Sequence, residues 1–412
     1  MSEQDQQPGV VPSETAGTGS VAALTPPDGL EVLTAATDDV PRQREGLELL
    51  VVPDEAAADG ETPPQAPGPL RHARGRRARR ALVVLAVLAG LLVVGLGAGA
   101  WWVRDFTQEL DRNIERFGDP FAPLPEAQRP AKPAAAAKAM NILLLGSDSR
   151  TSAGDPDQWV AGAQRTDAIM VLHVDQARKN VSVVSIPRDS WVRIPGHGTA
   201  KINAAFSWGG PSLMVRTVEA YTNVRIDHVV IVDFEGFQQL TDSLGGVTIT
   251  VPKDTHDERG SFAAGTQRMD GATALRYVRQ RHNLPGGDFD RIHRQQNWIR
   301  AIMTEAMAHR RPSDVGTVTE ALQDVTSAVA TDDGFSFDVM RDLAWSLRSV
   351  RAGDVRFLTA PVAGTGWSPD RRQAIVKLDD DANRELWRSV KDDALGDWIA
   401  THEPALLGTT VR

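Results

Sequence analysis

An uncharged apolar run from Ala81 to Val103 is the feature that most constrains the fold of this chain. Its length matches the roughly 20 residues that a helix needs to cross the hydrocarbon core of a bilayer. A block of arginines at residues 71–80 comes directly before it. Because positive charge is retained on the cytoplasmic side, the sequence predicts one signal-anchor helix, with the N-terminus cytoplasmic and everything after Arg104 outside.

The predicted span divides the chain into segments of different composition. Residues 1–70 are rich in Pro, Gly, Ala and acidic side chains and bury too little apolar surface to offset chain entropy, so they are predicted to be a disordered cytoplasmic tail. Residues 71–103 are the basic flank and the transmembrane helix. Residues 104–138 are predicted to be a juxtamembrane helix and a Pro/Ala stalk, and residues 139–412 one extracytoplasmic domain.

The segment 139–412 alternates short apolar strands with amphipathic helices. Helical periodicity appears at residues 211–221, 234–244, 271–281, 291–308, 316–330 and 338–350, and the tail at 379–397 is also predicted to be helical. Strands interleaved with helices predict an α/β fold of the α-β-α type, with a mixed central sheet flanked by helices. The predicted strands, all rich in Val and Ile, are Ile142–Leu145, Ala168–Val174, Val181–Ile186, His228–Val232 and Val247–Val251.

Charge and cysteine content exclude several classes of function. The formal net charge is -9, which argues against a general nucleic-acid binder, and no nucleic-acid partner is expected. The chain has no cysteine, so disulfides, thiolate nucleophiles and cysteine-ligated zinc are excluded. Basic side chains that bind an anion must therefore be concentrated locally.

Two aspartates flank neighbouring predicted strands. Asp148 follows the run that begins at Met140, and Asp167 directly precedes the strand Ala168–Val174. In open α/β sheets, polar residues at the carboxyl ends of strands line the ligand crevice. Two carboxylates, with positions left for water and phosphate, are how proteins usually hold Mg2+. Spacing alone favours this interpretation no more than ordinary turn and cap roles.

Cationic side chains gather at strand ends, in loops and at one helix start. Arginine binds phosphate bidentately and stays charged at any working pH. Arg291 and Gln295 are four residues apart, so a helix presents them on one face. The ordinary alternatives to ligand binding are a local ion pair between Arg188 and Asp189 at a surface turn and a solvated surface position for Lys201. The set predicts a site for a phosphorylated ligand, and its cations are Arg165, Arg188, Lys201, Arg279, Arg281 and Arg291.

The order and spacing of these motifs resemble the LytR-CpsA-Psr family. The resemblance runs from about Met140 to Ala308, and the predicted tail, single span and outside domain also fit the topology of that family. The motifs that carry it are Leu-Leu-Leu-Gly-Ser-Asp148, Arg165-Thr-Asp167, Ser-Ile-Pro-Arg188-Asp189, Lys201-Ile-Asn, Arg279-Gln-Arg281 and Gly-Asp-Phe-Asp-Arg291-Ile-His-Arg-Gln295.

The resemblance implies a phosphotransferase of cell-wall assembly. Members of the family transfer a glycopolymer from a polyprenyl-pyrophosphate carrier to peptidoglycan and form a phosphodiester. Carried over to this sequence, Asp148 and Asp167 bind Mg2+, and Asp167, Arg165, Arg188 and Arg279 are catalytic. The pyrophosphate is held by Arg165, Arg188, Arg279, Arg281, Arg291 and Gln295, with Lys201 less securely placed.

Several alternatives stay open from the sequence. Asp155 or Asp157, in the long loop before Arg165, competes as a metal ligand, and His282 is a candidate proton shuttle. The general base is unresolved, because Asp167 either orients or deprotonates the acceptor hydroxyl. If water were the acceptor at the same site, the protein would be a polyprenyl-pyrophosphate phosphatase. A non-catalytic protein that binds the lipid-linked precursor, or a membrane-tethered regulator, is the third possibility.

Overall fold

The computed structural model describes residues 101, 104–148, 166–258, 260–280, 284, 286–308, 326–402, 404 and 406–407. The predicted cytoplasmic tail lies outside these residues, and so does the predicted span at 81–103 except for Trp101. Within the described ranges, no helix is both long enough and apolar enough to cross a membrane.

Fifteen strands occur in the described residues, and seven of them form one mixed sheet. They are β1 Glu115–Arg116, β2 Met140–Ser147, β3 Thr166–Val174, β4 Val181–Ser185, β5 Trp191–Ile194, β6 Gly198–Lys201, β7 His228–Val232, β8 Val247–Val251, β9 Thr255–Asp257, β10 Gly260–Phe262, β11 Gly265–Met269, β12 Ala330–Thr331, β13 Val355–Thr359, β14 Val362–Trp367 and β15 Ala374–Leu378. The order in the central sheet is β1-β12-β7-β2-β3-β4-β13, and the other strands form two-stranded hairpins.

Helices cover both faces of this sheet. We number them α1 Asn203–Thr222, α2 Phe234–Ser243, α3 Gly271–Arg279, α4 Asp288–Ala308, α5 Phe337–Ser346, α6 Asp380–Lys391 and α7 Leu395–His402. The predicted mixed α/β fold is therefore confirmed. The predicted strand Val247–Val251 pairs only with β11, in a hairpin outside the central sheet.

Side-chain alternation along β2 divides the apolar residues between two cores. Leu143 and Leu145 pack with Phe206 and Val218 of α1. Leu144 points to the other face, where it joins a core that contains Met303 of α4 and residues of α5. Successive side chains of a strand point to opposite faces of the sheet, so β2 is buried on both sides.

A third core lies between α2, α3, α4 and the β8–β11 hairpin. Phe237 stacks on Trp298 with ring centroids 3.9 Å apart. The N-terminus of α3 approaches α2 closely, because a Cβ at Gly271 would lie 2.5 Å from the Gln238 carbonyl oxygen. Glycine at this position therefore sets how near α3, and with it Arg279, lies to α2.

The segment predicted as a juxtamembrane helix and stalk packs onto the domain. Residues 104–113 are helical, and Leu110 and Ile114 form a buried cluster with Phe337 of α5. Further along, Phe121 and Leu124 pack against the core beneath α1. The Pro/Ala composition does not indicate this packing, because the contacts with the domain come from a few apolar and charged residues spaced along the segment.

A buried ion pair fastens this segment to α1. Arg129 donates to Glu219 at 2.8 Å, and the two side chains are only 8% and 4% exposed. Glu219 also accepts from the backbone N–H of Ile226, and Arg129 donates to the Ile226 carbonyl. Lys132 adds a second tie, 2.8 Å from Asp227. Arg129 and Glu219 both make several buried contacts, so removal of either side chain leaves the charge of the other buried without its partner.

We therefore expect Glu219→Ala to lower the free energy of unfolding by about 3–5 kcal/mol, because the Arg129 guanidinium stays buried without its carboxylate. Urea unfolding followed by tryptophan fluorescence measures this. The matched control is Glu126→Ala, which breaks the exposed pair with Arg225 and should leave the midpoint unchanged. Equal midpoints for the two variants would show that the segment is not an integral part of the domain.

Candidate active site

Four strands bring their polar ends to one edge of the central sheet. β2 is parallel to β7 and antiparallel to β3, and β3 is antiparallel to β4. The carboxyl ends of β2, β4 and β7 therefore meet the start of β3. The residues at these ends include Asp148, Asp167, Arg188 and Asp233, which is the arrangement expected of a ligand crevice.

A cavity of about 300 Å³ opens at this edge, between the sheet and helices α2, α3 and α4. That volume is at the lower end of the roughly 300–1,000 Å³ range of ligand pockets. Its charged lining residues are Asp148, Asp167, Arg188, Asp233, Arg279 and Arg291, and its apolar ones include Leu144, Met170, Phe237, Leu275, Val278, Trp298 and Ile299. The cavity thus combines an apolar interior with charged groups from the strand ends.

The two predicted carboxylates both line this cavity. Asp148 is exposed and Asp167 is three-quarters buried. Arg188 donates to Asp167 through Nη1. The structure thus brings Asp148 and Asp167 to one cavity, whereas a bond of either residue to a metal stays a prediction.

Arg188 lies at the centre of a charge network. Its Nη2 is 3.6 Å from Asp288 Oδ1, and its Nε is 3.8 Å from Asp189 Oδ2. Lys201 Nζ lies 3.0 Å from Asp189 Oδ1. Lys201 does not line the cavity itself, so the structure places it beyond Asp189, on the outer side of the network.

The other described cations come from the ends of helices α3 and α4. Arg279 is the last residue of α3, and its guanidinium carbon lies 4.0 Å above the centre of the Phe234 ring. Arg291 is 2% exposed and its Nη2 is 2.8 Å from Asp288 Oδ1. Gln295, one turn further along α4, lines the same cavity, which confirms that the two residues share a face.

Two neighbours of these residues have structural roles instead. Gln296 donates to Ser185 Oγ at 2.9 Å and to the Leu358 carbonyl at 2.7 Å, and so fixes α4 to β4 and β13. Arg294 donates to the Tyr277 carbonyl at 3.1 Å and to Thr255 Oγ1 at 3.1 Å. Burial lowers the pKa of Arg294 below its usual value. The arginine-rich motif therefore contributes Arg291 and Gln295 to the lining of the cavity, and Arg294 and Gln296 to the packing of α4.

Sequence reasoning missed two contributors to the site. Asp288, at the start of α4, contacts both Arg188 and Arg291, and its only sequence signal is its place in the Gly-Asp-Phe-Asp motif. The second is Phe234, whose ring lies beneath the Arg279 guanidinium. Its neighbour Asp233 caps α2, because its side chain accepts from Gly236 N at 2.8 Å. Arg165 and Arg281 lie outside the described residues, as do Asp155, Asp157 and His282.

The donor set is compatible with one divalent cation bound together with a phosphate. In the described part of the chain, no group of three or more His, Asp or Glu side chains is arranged to hold a metal by itself. Mg2+ commonly takes one or two carboxylates and completes its shell with water and substrate phosphate oxygens. Among described residues the cavity has three arginines and three aspartates, so their charges cancel. A bound cation would give the mouth a net positive charge toward a pyrophosphate.

Comparison with known proteins accounts for this arrangement. Residues 122–391 match the model of the LytR_cpsA_psr family. The chain belongs to the LytR-CpsA-Psr family. The matched region contains every described residue of the cavity and also includes residues 122–138, in agreement with the packing of that segment on the domain.

Individual relatives have cell-wall functions in their names. The chain is 34% identical to "Probable cell wall biosynthesis protein LcpB" of Corynebacterium glutamicum, over 74% of this chain and 72% of the relative. It is 32% identical to "Polyisoprenyl-teichoic acid--peptidoglycan teichoic acid transferase TagU" of Enterococcus faecalis, over 68% and 85%. The crystal structure of B. subtilis TagV matches with a TM-score of 0.53 and 25% identity, covering 62% of this chain and 97% of TagV.

Substitutions of Arg279 and Arg294 should differ in their effect on the free energy of unfolding, because Arg279 lines the cavity and Arg294 is part of the packing. Arg294→Met is expected to lower the free energy of unfolding by about 2–4 kcal/mol, because buried acceptors lose a charged donor. Arg279→Ala, at an exposed helix end, should change it by less than about 0.5 kcal/mol. Urea unfolding of both variants measures this, and a large loss of stability in Arg279→Ala would assign that arginine to the fold.

Proposed function

We propose that this protein transfers a glycopolymer from a polyprenyl-pyrophosphate carrier to peptidoglycan, forming a phosphodiester during cell-wall assembly. The observation that carries the proposal is a cavity of the described chain whose lining combines apolar side chains with arginines and aspartates. A lipid pyrophosphate has the same two parts, a hydrocarbon chain and a charged group. Family membership and the similarity to TagU, named as a polyisoprenyl-teichoic acid–peptidoglycan teichoic acid transferase, support the same assignment.

The apolar interior suits the first isoprene units of the carrier. Leu275 and Val278 from α3 face Trp298 and Ile299 from α4 across the cavity, with Met170 of β3 also in the lining. Burial of hydrocarbon here is favourable at about 25 cal/mol per Å² removed from water. A cavity of about 300 Å³ holds only the start of a long chain, so the remainder of the tail stays outside it.

The arginines suit the pyrophosphate. Arg188, Arg279 and Arg291 reach the mouth from a strand end and two helix ends, and Gln295 adds an amide. Phosphoryl transfer requires positioning and charge stabilisation more than covalent chemistry. Arg291 and Arg188 are held by Asp288, so their guanidinium groups are oriented before substrate binds, which reduces the reorganisation needed during reaction. The positions of Arg165 and Arg281 relative to this group stay predictions.

The reaction exchanges one phosphorus–oxygen bond for another. The acceptor hydroxyl oxygen forms a bond to the phosphorus attached to the glycopolymer, and the bond from that phosphorus to the bridging oxygen breaks. The leaving group is polyprenyl phosphate. We assign Asp167 to orient the hydroxyl and to receive its proton, and Arg188, which donates to Asp167, to position that carboxylate. Mg2+ held by Asp148 and Asp167 would supply further neutralisation of phosphate charge.

A transfer assay tests the proposal. The full chain in detergent micelles would receive a labelled polyprenyl-pyrophosphate disaccharide and a peptidoglycan oligomer, with Mg2+ or with a chelator. We expect label in the glycan that depends on the metal, and a loss of at least about 100-fold in Arg279→Ala, since removal of one preorganised donor typically costs that much.

The products distinguish the rival functions. Release of phosphate or of free glycan without labelled peptidoglycan would identify a phosphatase. Lipid binding with neither product would leave a binding or regulatory module, and the transferase assignment would have to be withdrawn. The double variant with Asp148→Ala and Asp167→Ala should lose transfer activity but retain much of the lipid binding, because the apolar lining of the cavity is intact.

The proposed substrates also require the predicted topology, with the domain on the outer side of the membrane. Because the chain has no cysteine, a single introduced cysteine gives a unique label. We expect a membrane-impermeant maleimide applied to intact cells to label Arg372→Cys, at an exposed position of the domain, and not Ser13→Cys. Labelling of Ser13→Cys alone would reverse the proposed orientation.

A further inference from the structure

A second depression adjoins the cavity and shares Arg188 with it. It has a volume of about 360 Å³ and lies on the outer side of the charge network, where Lys201 contacts Asp189. Its wall contains amide and hydroxyl side chains and one tryptophan: Asn203, Ser207, Trp208 and Gln373. The residue composition therefore differs from that of the apolar cavity, although the two spaces are separated only by Arg188 and its partners.

Trp208 is presented by a break in α1. Gly209 has φ -149 and ψ 23, and Gly210 has φ 63 and ψ -157, so the helix is interrupted directly after the tryptophan, before Pro211. A side chain at Gly209 would meet Leu213 Cβ at 2.7 Å, which keeps this position small. Trp208 is 39% exposed, and His197 from the β5–β6 turn lies against it with ring centroids 5.3 Å apart. The helix break and the contact with His197 together keep the partly exposed indole of Trp208 at the edge of the depression.

The depression is polar yet locally neutral. Lys201 faces Asp189, and Arg188 faces both Asp167 and Asp189. Within the described chain, the side chains of Asn203 and Gln373 make no hydrogen bond to another residue, and each amide offers donors and an acceptor. Lys201 is paired with Asp189, and Arg188 is assigned to the pyrophosphate in the adjoining cavity, so the depression favours a neutral ligand over a second anion. A neutral ligand that uses amides, a hydroxyl and an aromatic face is a sugar.

We propose that this depression is the acceptor-sugar subsite, where a pyranose of the N-acetylated amino-sugar class packs its C–H face on Trp208. The proposal rests on the transferase function and specifies where its second substrate binds. Stacking on an indole buries apolar ring surface while leaving hydroxyl groups to the rim, and Asn203, Ser207 and Gln373 supply a few polar contacts that fix orientation. The sugar enters from the side of Arg188 that faces away from the apolar cavity.

This placement matches the geometry that the reaction requires. Attack on phosphorus and departure of the leaving oxygen occur roughly in line, so acceptor and lipid phosphate must approach from opposite sides. The lipid tail lies on the α3–α4 side of Arg188, and the depression lies on the α1 side. Asp167 lines the cavity and accepts from Arg188, the residue that the two spaces share. A hydroxyl that enters from the depression past Arg188 would therefore approach Asp167.

The test compares two exposed tryptophans in the full chain in detergent micelles. Trp208→Ala is expected to raise the KM for an N-acetylglucosamine–N-acetylmuramic acid oligomer about tenfold, the size of one lost aromatic contact. The KM for the labelled lipid donor and the transfer rate at saturating acceptor should stay unchanged. Trp208→Phe should recover most of the acceptor affinity, since it restores an aromatic face.

Trp345→Ala is the matched control, because Trp345 is 70% exposed on α5, remote from both spaces. It should leave all kinetic constants at their original values. An unchanged acceptor KM in Trp208→Ala would overturn the subsite, and so would an equal rise in the donor KM. Urea unfolding midpoints of the three variants exclude a loss of fold as the cause.

Direct binding keeps the inference separate from the proposed function. Calorimetric titration of the same oligomer into the unmodified chain should give a binding isotherm that is weakened about tenfold by Trp208→Ala. If the unmodified chain shows no transfer but this difference is present, the transferase assignment fails and the sugar subsite stands. If transfer occurs but neither the binding constant nor the acceptor KM responds to Trp208→Ala, the sugar binds elsewhere.

Discussion

Burial of the central sheet on both faces is the constraint on which the rest of this structure depends. Side chains of β2 and its neighbours alternate between the core beneath α1 and the core beneath α4 and α5. Charged groups have little place along such strands, because an unpaired charge in a core is costly. They are therefore concentrated where strands end, and the carboxyl ends of β2, β4 and β7 bring them together with the start of β3 at one edge of the sheet.

Helix α4 shows how closely fold and site are combined. Within two turns it has Arg291 and Gln295 lining the cavity, Arg294 bonded to the Tyr277 carbonyl and Gln296 bonded to Ser185 and Leu358. The buried contacts of Arg294 and Gln296 fix the rotation of the helix about its axis. That rotation decides which way Arg291 and Gln295 point, so buried residues outside the cavity determine the geometry of its charged lining.

Much of the fold and part of the site could be predicted from the sequence, for reasons that particular residues make clear. Val and Ile runs located β3, β4 and β7, and the spacing of Arg291 and Gln295 gave their shared face. Asp288 was missed because contacts across the network, invisible in local sequence, give it its role. Lys201 was grouped with the phosphate ligands because its motif does not reveal that Asp189 stands between it and the cavity.

The docking of residues 104–139 has a consequence for how far the protein can reach. Residues 104–113 form a helix that packs on α5, and the segment after it is fixed to α1 by Arg129 and Glu219. From residue 104 onward, the described chain therefore provides no flexible spacer before the domain. If residues 81–103 span the membrane as proposed, a domain joined in this way would stay close to the bilayer, and the growing glycan would have to come to it. New polymer would then be attached at the innermost, most recently made layer of the wall.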